Sequence, residues 1–326
     1  VAVLPPLPAR PHDEAWLAID RAPGSEHPAV AYAGPEGLTY STVVWQAGVE
    51  GGGAFVWHHE LVVGPNDGQP AAAVALAHRI DGAPVIAAYR QPQRRLFQFT
   101  RVDGEWHRRR LAPEERSGLS VQLRRGVAGM VASWAAEQAT RPPGLWVAFE
   151  GDGGWWPRPL VEAYGTRIGE HHHLAVQATG EAVICAHDPA GHRPMLWRAR
   201  PSLDGGHELL WAGDAATGGR WCQVVDNGQR VLFTNASEDE RVERRSGEAP
   251  RLTGETGGPM SNVRVAEQTY TLVDVRGRLM LSGQDLGAAP AGRAPAVVDV
   301  EDGFWLVEQG EDRQEVRVRR WQRIRR

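Results

Sequence analysis

AAVALAHRIDGAPVIAAYRQPQRRLFQFTRVDGEW, residues 72–106, decides how the rest of the chain reads. It opens with an apolar run and turns through small residues into Pro84. A second apolar run ends in Tyr89, a polar turn leads to LFQFT (96–100), and a fourth segment, EWHRRRLA, occupies 105–112. Four short β-prone runs punctuated by Gly, Pro and Asp are the pattern of antiparallel strands joined by hairpins. The same order stands upstream. AWLAIDRAPGSEHPAVAYAGPEGLTYSTVV begins at Ala15, and FVWHHELVV (55–63) supplies its fourth run.

Downstream the pattern repeats with drift. MVASWAAEQ (130–138) leads to GLWVAFEGDGGWW (144–156), and HLAVQAT (173–179) to EAVICAHDPAG (181–191). RWCQVVD (220–226) leads to QRVLFTNAS (229–237), NVRVAEQ (262–268) to TYTLVDVRG (269–277), and PAVVDVEDG (295–303) to FWLVEQG (304–310). First strands are thus expected near 15, 72, 130, 173, 220, 262 and 295. Seven units in 326 residues average about 47 each, close to the forty-odd residues of a propeller blade. The expected fold is an all-β β-propeller of about seven four-stranded antiparallel blades in one domain, 1–326, with six or eight units left open by the drift. Residues 1–8 are expected to lend an outer strand to the last blade, where Pro is tolerated at an edge. One stretch, SVQLRRGVAGMVASWAAEQA (120–139), also carries helix-compatible spacing of Leu123, Val127, Val131 and Trp134. The repeat argues for a strand in its second half and leaves room for a short helix around 113–120.

Composition narrows the function classes. All 36 basic residues are Arg, against 40 acidic ones, a net charge of −4 that speaks against a general nucleic-acid binder. The Arg, Ala, Gly and Pro bias is that of a GC-rich bacterial genome. No stretch of 18 apolar residues exists, so no helical membrane span is expected. The start of the chain lacks a signal-like h-region, which fits either a cytoplasmic protein or one whose signal was removed. Cys185 and Cys222 give no disulfide framework, and whether they pair is open.

Thirteen Trp against six Phe and five Tyr need a reason. Trp45, Trp57, Trp106, Trp155, Trp156, Trp197 and Trp211 fall in or beside third and fourth runs, and DGEW (103–106) and DGGW (152–155) share a turn followed by Trp. In this the chain resembles propellers with bacterial-neuraminidase-type repeats, over most of its length in unit grammar but weakly in motif. SLDGGHELLW (202–211) approaches that family's S-x-D-x-G-x-x-W box through Ser202, Asp204 and Gly206, while Trp211 falls two positions late. The resemblance implies architecture only. Most of the indoles are expected to pack between blades. Trp156, beside Trp155, is the one expected to face outward as a sugar-stacking platform, because strand neighbours point to opposite faces.

No nucleotide-binding loop, serine elbow or zinc-protease motif occurs, and no cofactor is implied. A sialidase would need three converging Arg and a Tyr/Glu pair, which the repeat does not place. His171 and His173 stand at i and i+2 on a strand, the spacing of two metal ligands on one face; His58 and Glu60 share it but belong to an outer strand. Ligands of propellers meet the ends of first strands at the channel mouth. The candidate binding residues are therefore Asp20, His78, Glu137, His172, Trp221, Arg264 and Asp299, with Trp156 beside them. The expected function is a non-catalytic propeller recognising a glycan or a protein. The alternative is a propeller glycoside hydrolase, lyase or cyclase using channel-mouth acids and His, which would require two carboxylates about 5–10 Å apart.

Overall fold

The structure is a computed structural model that describes residues 17–34, 37–47, 53–64, 70–90, 94–112, 117–136, 144–162, 168–169, 171–191, 193–202 and 206–213. Beyond these it describes strands within 221–322. The first sheet runs β1 (Leu17–Asp20), β2 (Ala29–Gly34), β3 (Gly37–Ala47) and β4 (Gly53–Val63), each hydrogen-bonded to the next. The second repeats this order with β5 (Pro70–His78), β6 (Pro84–Arg90), β7 (Arg95–Val102) and β8 (Glu105–Arg110). A third holds β9 (Ser117–Arg125), β10 (Met130–Ala136), β11 (Gly144–Gly151) and β12 (Gly154–Glu162). A fourth holds β13 (His172–Val176), β14 (Ala182–Asp188), β15 (Arg193–Ala199) and β16 (His207–Ala212).

Further along, β17 (Trp221–Val225), β18 (Arg230–Asn235), β19 (Glu267–Asp274) and β20 (Leu279–Leu281) follow one another, with β21 (Ala289–Pro290) also paired to β19. A three-stranded sheet of β22 (Arg293–Val300), β23 (Gly303–Gln309) and β24 (Val316–Gln322) comes last. By contact density the chain divides into Val1–Ala182 with Arg198–Glu208, and Val183–Trp197 with Leu209–Arg326. No helix occurs among the described residues.

The second sheet shows why the repeat folds this way. Strand side chains alternate between faces, and here both faces are buried. Ala75, Ala77, Val85, Ala87 and Tyr89 join Val121, Leu123, Ala132 and Trp134 of the third sheet in one apolar cluster. Their sequence neighbours Val74, Leu76, Ile86 and Ala88 join Ala31, Leu38 and Tyr40 of the first sheet in another. The second strands PVIAAYR and MVASWAA are therefore buried throughout, and small Ala side chains let the sheets approach closely. The fourth strand EWHRRR is mostly exposed and correspondingly charged. Its hairpin turns on Asp103 and Gly104, whose φ values of 51° and 86° are the paired left-handed conformations of a two-residue hairpin turn.

Two expectations from the repeat are corrected. The third sheet starts at Ser117–Arg125, so MVASWAAEQ begins its second strand and not its first, and no helix covers 117–120. Helical spacing of Leu123, Val127 and Val131 arose because a tight turn at 126–129 separates two strands in register, Arg125 opposite Met130. Likewise TYTLVDVRG does not open a second strand of a sixth unit. Its β19 pairs with β18 as the third strand of the fifth sheet, Val231 opposite Val273. Six sheets are formed among the described residues. Residues 1–8 lie outside the described residues.

Cys185 on β14 and Cys222 on β17 form a disulfide, with Cα atoms 6.1 Å apart and a sequence separation of 37. It ties the second strand of one sheet to the first strand of the next. Closing a loop of that length is worth about 3–4 kcal/mol in the chain-entropy account. We predict that Cys185→Ser, or reduction of the native protein, lowers unfolding free energy by that order in urea titrations. Equal midpoints with and without reductant would contradict the role of this bridge.

Candidate functional site

The C-terminal ends of β1, β5 and β9 meet at a cavity of about 370 Å³ lined by Ile19, Asp20, Arg21, Ala77, His78, Leu123, Arg124 and Arg125. Asp20 is the last residue of β1 and His78 the last of β5. One carboxylate oxygen of Asp20 accepts both the His78 backbone N–H, at 2.9 Å, and its Nδ1–H, at 2.8 Å. In the tautomer that satisfies both partners, His78 Nε2 accepts the hydroxyl proton of Tyr40 on β3, at 3.0 Å. Burial works to raise the Asp20 pKa, but the hydrogen bonds from His78 and from backbone N–H groups outweigh it and hold the carboxyl below its ordinary range. Tyr40 is 5% exposed, and its phenol is pushed up to about 12 by burial and by the Glu60 carboxylate. Asp20, His78 and Tyr40 thus form a relay that ends on a closed-in, firmly protonated hydroxyl. It fastens the first two sheets and presents Asp20 to the cavity.

Arg124 faces the other way along β9 from Leu123, which belongs to the core cluster. Its Nη1 donates to the Leu123 carbonyl at 2.8 Å, and its Nη2 to Gln122 Oε1 at 3.5 Å and to His173 Nε2 at 3.3 Å. Among the described residues it makes no ion pair. Burial disfavours its charged form and the Asp20 charge partly restores it. His173 is brought down to about 3 by burial and by the Arg124 charge, which fits a neutral ring accepting from the guanidinium. His172, next to it, points into the third sheet. Its Nε2 bonds to Ser133 Oγ at 2.8 Å and its Nδ1 to the Gly169 carbonyl at 2.7 Å.

The structure therefore brings Asp20 and His78 together beside the cavity, with the His78 ring buried between Asp20 and Tyr40, and places His172 in a packing contact. His173 stands behind Arg124. Among the described residues no group of three or more His, Cys, Asp or Glu side chains could hold a metal ion, so His171 and His173 are joined by no further ligand there. Trp155 donates its indole N–H to Gln98 at 2.7 Å. Trp156 lies over Gly151, where a Cβ would overlap its ring. Both indoles are partly buried. Among the described residues the Trp and Phe side chains most open to solvent are Trp45 (58% exposed) and Phe55 (51%), edge to face on the β3–β4 hairpin. Trp221 opposes Thr234, and Asp299 opposes Phe304, in their strand ladders. Glu137 and Arg264 lie outside the described residues.

Arg21, Arg124 and Arg125 were not among the candidates. A signal for them exists: LAIDR (17–21), LAHR (76–79) and QLRR (122–125) all end a first strand in polar residues. It is visible only once 117–125 is recognised as a first strand.

No protein-family model matches the sequence, and no curated protein matches it. Solved structures do. A fucose-specific lectin from Aleuria aurantia superposes with a TM-score of 0.50 at 8% identity, covering 94% of this chain and 90% of that one. Polysaccharide lyase Uly1 gives a TM-score of 0.49 at 11% identity, with coverage of 90% and 74%. The SapL1 lectin, in complex with alpha methyl fucoside, gives 0.46 at 10% identity, with coverage of 95% and 98%. With the repeated four-stranded sheets, the likeness defines the class: the chain is a β-propeller. Structures of that class include lectins and lyases alike.

The buried histidine yields a pH prediction. His172 has a pKa of about 4 in the folded chain because burial disfavours its charge, against about 6.5 unfolded. Between those values the unfolded chain binds a proton that the folded chain does not, so stability falls as pH drops. Lowering pH from about 7.5 to about 5 should cost about 2 kcal/mol through His172 alone. His173 acts in the same direction, and Asp20 only below its unfolded value of 3.8. Urea midpoints of wild type and His172→Gln across this range check it: the variant should show a shallower decline, and parallel curves would contradict the assignment.

Proposed function

We propose that this chain is a non-catalytic binding propeller that recognises a glycan in the cavity at the ends of β1, β5 and β9. The observation that carries the reading is the lining of that cavity. It holds charged and hydrogen-bonding groups on rigid strand ends, but Asp20 is the one carboxylate among its described lining residues. Two-carboxylate glycoside hydrolysis needs an acid and a second carboxylate across the scissile bond. Here Asp20 is committed to His78, and the phenol at the end of the relay is buried. The volume lies in the ~300–1,000 Å³ range of small-ligand sites. Fucose binding by propeller lectins of similar fold is consistent with a sugar ligand here. The neuraminidase-type character of the repeats supports architecture alone and adds no arginine triad.

The alternative, a hydrolase, lyase or cyclase working through channel-mouth acids, has no second described acid in this cavity to support it. Glycan-array screening followed by titration calorimetry tests the choice. Saturable binding of a sugar is expected, weakened at least tenfold by Ile19→Trp, which crowds the mouth from a position 63% exposed. Turnover of the bound glycan, seen as new reducing or unsaturated ends, would overturn the non-catalytic reading.

A further inference from the structure

We infer that the cavity selects an acidic sugar, taking the carboxylate of a hexuronate-type ring against Arg124 and its neighbour Arg125. This rests on the glycan-binding reading above and names the chemical class of its ligand. The charge lining the cavity is lopsided. Three guanidinium groups, Arg21, Arg124 and Arg125, face a single carboxylate, in a chain whose overall net charge is −4. That carboxylate is already engaged, since Asp20 Oδ2 accepts two bonds from His78. Arg124 is held by a carbonyl, an amide oxygen and a neutral imidazole nitrogen, with no ion pair among the described residues. A half-buried guanidinium whose hydrogen bonds all go to uncharged groups, and which the Asp20 charge supports only in part, leaves positive charge at the cavity wall that a ligand anion can complete.

The geometry favours a carboxylate over a more highly charged group. A guanidinium presents a planar fork that matches the two oxygens of a carboxylate. Asp20 stands on the same wall, and its negative charge repels a phosphate dianion more strongly than a monoanion. His173 fixes Arg124 from behind without competing for the ligand, because its nitrogen accepts and carries no charge. Arg125 and Arg21 are exposed at the rim and extend the positive field outward, which steers an anion inward at low salt.

The test is titration calorimetry of the full chain at pH 7.5 with three trisaccharide probes: a glucuronate oligomer, its fully methyl-esterified counterpart, and a neutral glucose oligomer carrying one phosphate monoester. The expected result is binding of the uronate, at least tenfold weaker binding of the ester, weaker binding of the phosphorylated sugar, and at least tenfold loss for the uronate alone in Arg124→Gln. Arg125→Ser, at an exposed position that perturbs no core contact, should weaken the uronate severalfold and steepen nothing for the ester. Should Arg124→Gln fail to fold, the Arg125→Ser result and the acid-to-ester ratio in wild type carry the test. Equal affinity for acid and ester, or preference for the phosphorylated sugar, overturns the carboxylate inference while leaving glycan binding intact. Absence of binding to every sugar tested, here and on the array, overturns the glycan reading itself.

Discussion

The constraint on which the described structure depends is that the second and third sheets each have two buried faces. A sheet that packs one face can alternate apolar and polar residues along its strands. A sheet packed on both cannot, and its inner strands must be apolar at every position while remaining narrow enough for neighbours to approach. AVAYAG, PVIAAYR, MVASWAA and AVICAHD meet most of that demand with Ala, Val and Ile; every position of the first three is buried, and Arg90 and Ser133 are the buried polar exceptions among those three. Consecutive residues of β6 serve opposite clusters: Ala87 faces the third sheet and Ala88 the first. Burial at about 25 cal/mol per Å² makes these layers the main source of stability. Polar outer strands such as β8 follow because their residues meet water.

Upon that apolar layering the chain sets a small number of polar fasteners between adjacent sheets. His78 joins Asp20 and Tyr40, His172 joins Ser133, and Cys222 joins Cys185. Each links a first strand to the sheet before it, by a hydrogen bond or a covalent bond. Arg79, just after β5, also pairs with Glu150, whose second oxygen accepts the Met130 backbone N–H at 3.1 Å. These contacts hold first-strand ends in fixed positions, and the cavity inherits that rigidity. Asp20 and Arg124 can present opposite charges to it without neutralising one another because each is bound first to a neighbour.

How much of this was legible in the sequence depends on the kind of signal. The all-β class and the four-run unit were readable because alternating turns and apolar runs leave a local trace, as in 72–106. The start of the third unit was not, because Ser117–Arg125 carries polar residues at Gln122, Arg124 and Arg125 that mask its strand character, while the stronger apolar run MVASWAA drew the boundary to itself. The same displacement hid the arginines of the cavity. Asp20 and His78 could be picked because they close short first strands flanked by clear turns. Their partnership with Tyr40, like the pairing of Cys185 with Cys222, joins residues of different sheets, which no local pattern encodes. The contact of Trp156 with Gly151 was likewise out of reach: alternation gives the face a side chain points to, and not what lies beneath the ring.

The two-faced burial of inner strands is most directly tested by hydrogen–deuterium exchange of the intact protein, read peptide by peptide. If the sheets pack as described, amides of 84–90 and 130–136 exchange slowest, and those of 105–110 and 207–212 much faster, since their outer edges meet solvent. Comparable protection across inner and outer strands, or rapid exchange throughout 117–136, would contradict the layered packing from which the cavity is built.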